Sequence, residues 1–232
     1  LDCFVVTCEH GGNEIPADYW SFFVDHAALL ETHRGYDPGA LLFAQELSAA
    51  LGAPLVASTT SRLLVDLNRS IGHRHLFFEA TANQTDALRT EIVERHYRPY
   101  RSQVEAIVSE RVAKGQRVIH VSSHSFTPVL DGEIRNADVG LLYDPARGSE
   151  RQLCIGWKAA LSELAPDLRV RSNYPYLGKG DGFTSFLRKR YGSSQYIGIE
   201  LEVNQEKVFG PSREWIDLRV NLIESFRAAI GV

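Results

Sequence analysis

Val118-Ile119-His120-Val121-Ser122-Ser123-His124-Ser125 reads as a buried strand that runs into polar residues at its end. Its β-branched positions favour extended chain. The segment before it, 87–113, is amphipathic, with Leu88, Ile92, Val93, Tyr97, Val104, Ile107, Val108 and Val112 among its apolar residues, and Gly115 follows as a stop. A helix feeding a buried strand is half of a βαβ unit. Phe4-Val5-Val6-Thr7-Cys8-Glu9-His10-Gly11-Gly12-Asn13 has the same form: an apolar run, then a His. A third run, Tyr196-Ile197-Gly198-Ile199-Glu200-Leu201-Glu202-Val203, carries two acids to the same kind of edge. In open α/β sheets the carboxyl ends of the strands form the crevice where ligands bind.

The remaining elements extend this pattern. Strands are expected at 3–8, 53–57, 63–67, 117–122, 138–143, 168–172 and 196–203, and helices at 38–51, 87–113, 148–164, 183–191 and 212–230. Asp37 as N-cap, Pro38 at the first helical position and Gly52 beyond the end bound the first helix. Pro99 should kink or split the 87–113 helix. The alternation predicts one α/β domain over residues 1–232, three-layered, with a mostly parallel mixed central sheet. The stretch from Arg171 to Gly182, rich in Gly, Pro and Tyr, reads as a surface loop of the kind that often walls a site.

Composition narrows the partners. The chain has 232 residues, 44% of them hydrophobic, without repeats or low-complexity tracts. With 25 basic and 29 acidic residues the net charge is −4, which gives no reason to expect nucleic acid or an anionic membrane as partner. An apolar run of about 18 residues, the mark of a transmembrane helix, is missing. The start lacks the charged and apolar regions of a signal peptide. Three Cys at 3, 8 and 154 are an odd number without metal-type spacing, which predicts reduced thiols and a cytoplasmic setting.

The chemistry follows from residue type and position. Gly11-Gly12 lets the chain turn sharply beside His10. His124 lies among Ser122, Ser123 and Ser125, whose hydroxyls can orient its ring. His120, deeper in the strand, reads as a core residue. Two imidazoles delivered to one edge begin a metal site, and a catalytic zinc needs about three protein ligands with one position open for water. Glu14 and Asp37 compete to be the third ligand: Glu14 is close to His10 in sequence, and Asp37 is also a natural N-cap. Two imidazoles and a carboxylate favour zinc, while manganese, iron and cobalt also fit. Glu200 and Glu202 face one side of their strand, and Ile197, Ile199, Leu201 and Val203 face the other. Unpaired acids are costly to bury, so one of them is a candidate general base; on an edge strand both would simply be solvated. Asn68 and Arg69, in Asp66-Leu67-Asn68-Arg69, can grip a substrate carboxylate, with Arg135 as a second anion clamp. Asp66 can pin Arg62 or Arg69. These features predict a metal-dependent hydrolase.

The same residues resemble the N-formylglutamate amidohydrolase family. Cys8 to Pro16 is similar to its opening His motif, and His33 to Ala40 to its His-x-x-x-Asp-x-Gly-Ala segment. Ser61-Arg62 with Asp66 to Arg69, His124 to Pro128 with Gly132 and Arg135, Asn173 to Tyr176, and Leu201 to Asn204 resemble its later motifs, in the same order. The resemblance implies an α/β domain akin to zinc carboxypeptidases and aspartoacylases, and zinc-dependent hydrolysis of an N-acyl amino acid such as N-formylglutamate. It favours Asp37 over Glu14, and Glu202 over Glu200. The implied metal ligands are His10, Asp37 and His124, with Glu202 as base, Asn68, Arg69 and Arg135 on substrate carboxylates, and Tyr176 closing over the site. Gly11-Gly12 departs from the Ser-Gly usual in the histidine-pathway deformylases. A metallocarboxypeptidase, a cell-wall amidase and a non-catalytic anion-binding relative are the rival readings. Oligomeric state leaves no signal in the sequence.

Overall fold

Three of the strands named above, each with one apolar face, line up side by side at the centre of a six-stranded sheet. The structure, a computed structural model, describes residues 2–231. In chain order its strands are β1 (Asp2–Cys8), β2 (Leu55–Ala57), β3 (Arg117–Phe126), β4 (Val129–Leu130), β5 (Glu133–Ile134), β6 (Val139–Leu142), β7 (Val170–Ser172) and β8 (Tyr196–Asn204). Its α-helices are α1 (Ala27–Leu30), α2 (Ala40–Leu51), α3 (Glu79–Ala82), α4 (Asp86–Ile92), α5 (Arg98–Ala113), α6 (Gly148–Leu164), α7 (Phe183–Arg190), α8 (Gln205–Phe209) and α9 (Ser212–Ile230). β2, β1, β3 and β8 run parallel; β6 turns antiparallel to β8 and pairs in parallel with β7. β4 and β5 form a separate hairpin. The result is the single α/β domain with a mostly parallel mixed sheet that the pattern predicts.

Alternation along the strands decides what each face meets. Ile119 and Val121 of β3 and Ile197, Ile199, Leu201 and Val203 of β8 pack with Phe43 and Leu47 of α2, Trp157 and Leu161 of α6, and Leu222 and Phe226 of α9. The opposite face packs Val5, Val118 and Tyr196 against Val104 and Val108 of α5 and Phe183 and Leu187 of α7. On that second face the β3 side chains become polar toward the carboxyl end: His120, Ser122 and His124, all buried. β8 does the same beside it, because Ser122 pairs with Glu200 and His124 with Glu202. The two acids therefore lie in the middle of the sheet, and the solvated-edge reading fails.

Several local expectations are corrected. Residues 63–67 form no strand: Arg62–Leu64 is a turn and the chain then runs irregularly, although Leu63, Leu64, Val65 and Leu67 are all buried. The expected 117–122 strand continues to Phe126, so His124 sits within β3 and not beyond it. The first helix begins at Ala40, with Gly39 before it in the left-handed region at φ 80°, and Asp37 is not its N-cap. That shift leaves the Asp37 carboxylate available. Gly52 closes the helix at φ 57°, as predicted. The 87–113 segment is divided as Pro99 requires, with a π-helical turn at Val93–Tyr97 ahead of α5. Gly12 serves close packing, because a Cβ there would lie 2.5 Å from the Thr59 carbonyl oxygen.

Candidate metal centre and active site

β1 ends at Cys8, and the chain carries His10 to the strand edge, where its backbone carbonyl accepts from the Asp37 amide at 2.9 Å. His124 arrives from β3, and the two imidazoles lie 5.1 Å apart between ring centres. Asp37 Oδ2 lies 3.3 Å from His10 Nδ1 and 2.8 Å from His124 Nδ1. One ligand atom from each of these buried residues falls within 4.8 Å of the others. Glu14 stands outside the cluster; it is exposed, and its carboxylate accepts from Thr59 Oγ1 at 2.8 Å.

The other ring nitrogens are committed elsewhere. His10 Nε2 bonds Asp66 Oδ1 at 2.7 Å. His124 Nε2 bonds Ser122 Oγ at 2.9 Å and lies 3.3 Å from Glu9 Oε2. Glu9 is fully buried and accepts from the hydroxyls of Ser122, at 2.6 Å, and Tyr100, at 2.9 Å. Carboxylates behind each imidazole fix its orientation and turn both Nδ1 atoms toward Asp37. Of the neighbouring serines only Ser122 orients His124. Ser123 and Ser125 donate to the carbonyls of Ala40 and Pro38 and so hold the chain around the start of α2. His120 is a core residue bonded to Thr7 and Tyr196, and burial pushes its pKa down to about 4.

The charge balance has a direction. Burial alone would lower the His124 pKa, but the Asp37 and Glu9 carboxylates raise it well above its ordinary value. Burial opposes ionisation of Asp37 too, yet His10, His124 and Arg62 hold its carboxyl well below the usual range. Glu202 is pushed up to about 8 by burial, Asp37 and Glu200, and its Oε2 finds no hydrogen-bond partner among the described residues. The cluster thus draws positive charge to itself and holds a carboxyl oxygen in reserve. A divalent cation suits this donor set: tetrahedral bonds of ~2.0–2.1 Å place neighbouring ligand atoms about 3.3 Å apart.

Arg62 is the residue that sequence reasoning passed over as a site group. Its guanidinium donates to Asp37 Oδ1 at 3.3 Å and to Asp66 Oδ2 at 3.0 Å, while remaining 25% exposed. The sequence signals were its proximity to Asp66 and its place in the Ser61-Arg62 motif. Asn68 and Arg69 reach the same cleft: Asn68 Oδ1 accepts from the Phe183 amide at 2.7 Å, and Arg69 donates to the Asp181 carbonyl at 2.9 Å. Tyr176 stands at the rim, 47% exposed, and receives a hydrogen bond from Arg135 at 3.0 Å. Arg135 meets the cleft through that tyrosine and lines neither part of it directly. The cleft has two lobes that share Asp37, Arg62, Arg69, Ser125 and Tyr176. Glu200, Glu202 and Asn68 line one lobe; Phe77, Phe78, Phe126 and Leu130 line the other.

Fold and cleft together define a class, an α/β hydrolytic enzyme with its polar centre at the strand ends. The family is narrower: the model for N-formylglutamate amidohydrolases matches residues 2–208, and the chain belongs to that family of amidohydrolases. A gene product of Agrobacterium tumefaciens has a similar structure, with a TM-score of 0.84, 29% identity, and coverage of 98% of this chain and 90% of its own. An N-formylglutamate amidohydrolase from Ralstonia eutropha shares the fold at a TM-score of 0.71 and 19% identity, covering 99% of this chain and 93% of its own. No curated protein matches the chain. None of the described helices is long and apolar enough to cross a membrane.

Proposed function

We propose that this amidohydrolase is a metal-dependent enzyme that hydrolyses the amide of a small N-acyl amino acid of the N-formylglutamate type. The observation that carries the reading is the convergence of His10 Nδ1, His124 Nδ1 and Asp37 Oδ2, with both Nε2 atoms held from behind. These three residues would hold one zinc ion, which when bound supplies Lewis acidity for a water and for the acyl carbonyl. Glu202, in its ionised form, which grows as pH rises through about 8, takes a proton on Oε2 from the attacking water and delivers it to the leaving nitrogen. The C–N bond breaks as the new C–O bond is completed, leaving a carboxylic acid and a free amine. Arg62, donor-rich and partly open to the cleft, stabilises negative charge on the acyl oxygen. Asn68 and Arg69 hold the amino-acid carboxylate, so binding energy goes into positioning. Tyr176, steadied by Arg135, closes the rim.

Arg62→Met removes this charge and also takes a partner from Asp37 and Asp66, so metal content is measured beside the kinetics. Steady-state kinetics should show kcat falling about 10²–10³-fold, the loss typical of an oxyanion donor. Unchanged kcat with a raised KM would make Arg62 a binding group only. The experiment that tests the function as a whole is release of free amine from N-acyl amino acids by metal-replete protein, before and after chelation. Turnover that survives complete metal removal would refute the metal-dependent reading.

A further inference from the structure

The second lobe of the cleft, of about 320 Å³, has aromatic walls but an unbalanced charge. Arg34, Arg62 and Arg69 line it together with two acids, Asp37 and Asp66. The acids are committed on every oxygen. Asp37 Oδ2 bonds His10 and His124, and its Oδ1 accepts from Arg62. Asp66 Oδ1 meets His10 and the Asn68 amide, and its Oδ2 accepts from Arg62. Arg34 is left over: its guanidinium stands 5.4 Å from the centre of the Phe78 ring and meets no carboxylate among the described residues. Arg135, behind Tyr176, bonds the tyrosine hydroxyl at 3.0 Å and likewise meets no carboxylate among them. The surplus reaches His33 in the wall, whose pKa is lowered by burial and by the Arg135, Arg34 and Arg62 guanidiniums against the pull of Asp37.

Glu202 must reach the leaving nitrogen, so the amine half of the substrate belongs in the lobe with Glu202 and Asn68. The acyl carbon, at Arg62, then turns its other substituent toward the second lobe. A formyl group would place only a hydrogen there and leave Arg34 unmatched. A carboxylate matches it, because a guanidinium grips one with two parallel hydrogen bonds. The methylenes of a short chain suit Phe126 and Leu130 on the way. We infer that the second lobe binds a carboxylate at the far end of the acyl group, so that the preferred substrate is the half-amide of a short dicarboxylic acid with an amino acid. Water adds to the acyl carbon and the C–N bond breaks, releasing the dicarboxylic acid and the free amino acid. This rests on the amide-hydrolase reading above and deepens it.

The test is a kcat/KM series on the metal-replete enzyme with L-glutamate held constant. The acyl groups are formyl, then malonyl, succinyl and glutaryl, each acid set beside the uncharged acyl group of equal chain length. A hydrogen bond to a charged group is worth roughly tenfold or more, so the best of the three acids should exceed both its uncharged counterpart and formyl at least tenfold. Arg34→Met should bring the acid-to-uncharged ratio down toward one. A second series holds the formyl group constant and compares glutamate with glutamine. Acids turned over no better than their uncharged counterparts or than formyl overturn the inference. So does an acid preference that survives intact in Arg34→Met, or a charge preference that follows the amino-acid side chain alone. No hydrolysis of any member overturns the amide-hydrolase reading itself, so the two failures are told apart.

Discussion

Glu202→Gln lowers kcat about 10²–10⁴-fold, the range for loss of a positioned acid–base group. The substitution is nearly isosteric and keeps the β8 backbone and its pairing with His124. It adds no clash and removes only the ability to accept and pass on a proton. KM and metal content should therefore change little, and the defect should fall on the chemical step. Glu202 is chosen over Glu200 on geometry as well as resemblance. Glu200 Oε1 is already engaged by Thr184 Oγ1, whereas Glu202 Oε2 is buried without a partner among the described residues. Near-normal kcat in Glu202→Gln would remove it from the role of base. Glu200→Gln with the larger loss would move that role by two residues.

His124→Ala has the larger expected effect. It deletes one of the three converging ligand atoms and leaves the Asp37 carboxylate with His10 Nδ1 at Oδ2 and Arg62 at Oδ1. Metal content of the purified variant should drop to background, and activity should fall below that of Glu202→Gln. A fold-specific control is built into the chain. Glu14 was the rival third ligand, but it is exposed and bonded to Thr59. Glu14→Gln should keep full metal content. Elemental analysis of both variants decides the ligand set: metal retained in His124→Ala and lost in Glu14→Gln would reverse the assignment.

Much of this site was legible because its residues sit on strands with strict alternation. In β8 the order Ile-Glu-Leu-Glu-Val alone separates the packing face from the cleft face, and the structure keeps that separation. His10 and His124 were legible as residues at strand ends, although β3 runs two residues past His124. The segment 63–67 misled because Leu63, Leu64, Val65 and Leu67 are as buried as strand residues. Its burial comes from tertiary packing under Tyr97 and Arg101, whose side chains bond the carbonyls of Arg69 and Leu67. No local pattern records that. Asp37 looked like an N-cap because Asp-Pro is a strong helix-start signal. The left-handed Gly39 delays the helix to Ala40 and leaves the carboxylate for the two imidazoles. Arg62, Glu9 and Asp66 act through contacts with Asp37, His124 and His10 that span 25, 115 and 56 positions. Such pairs have no signature in a single sequence.

The central claim is that His10, Asp37 and His124 together bind one divalent ion. Calorimetric titration of metal-stripped protein with zinc tests it most directly. The expected isotherm has one site per chain, with proton release as the cation displaces protons from the imidazole–carboxylate cluster, and that site vanishes in the His10→Ala, His124→Ala double variant. A double variant that still binds one zinc with the affinity of the native protein would contradict it.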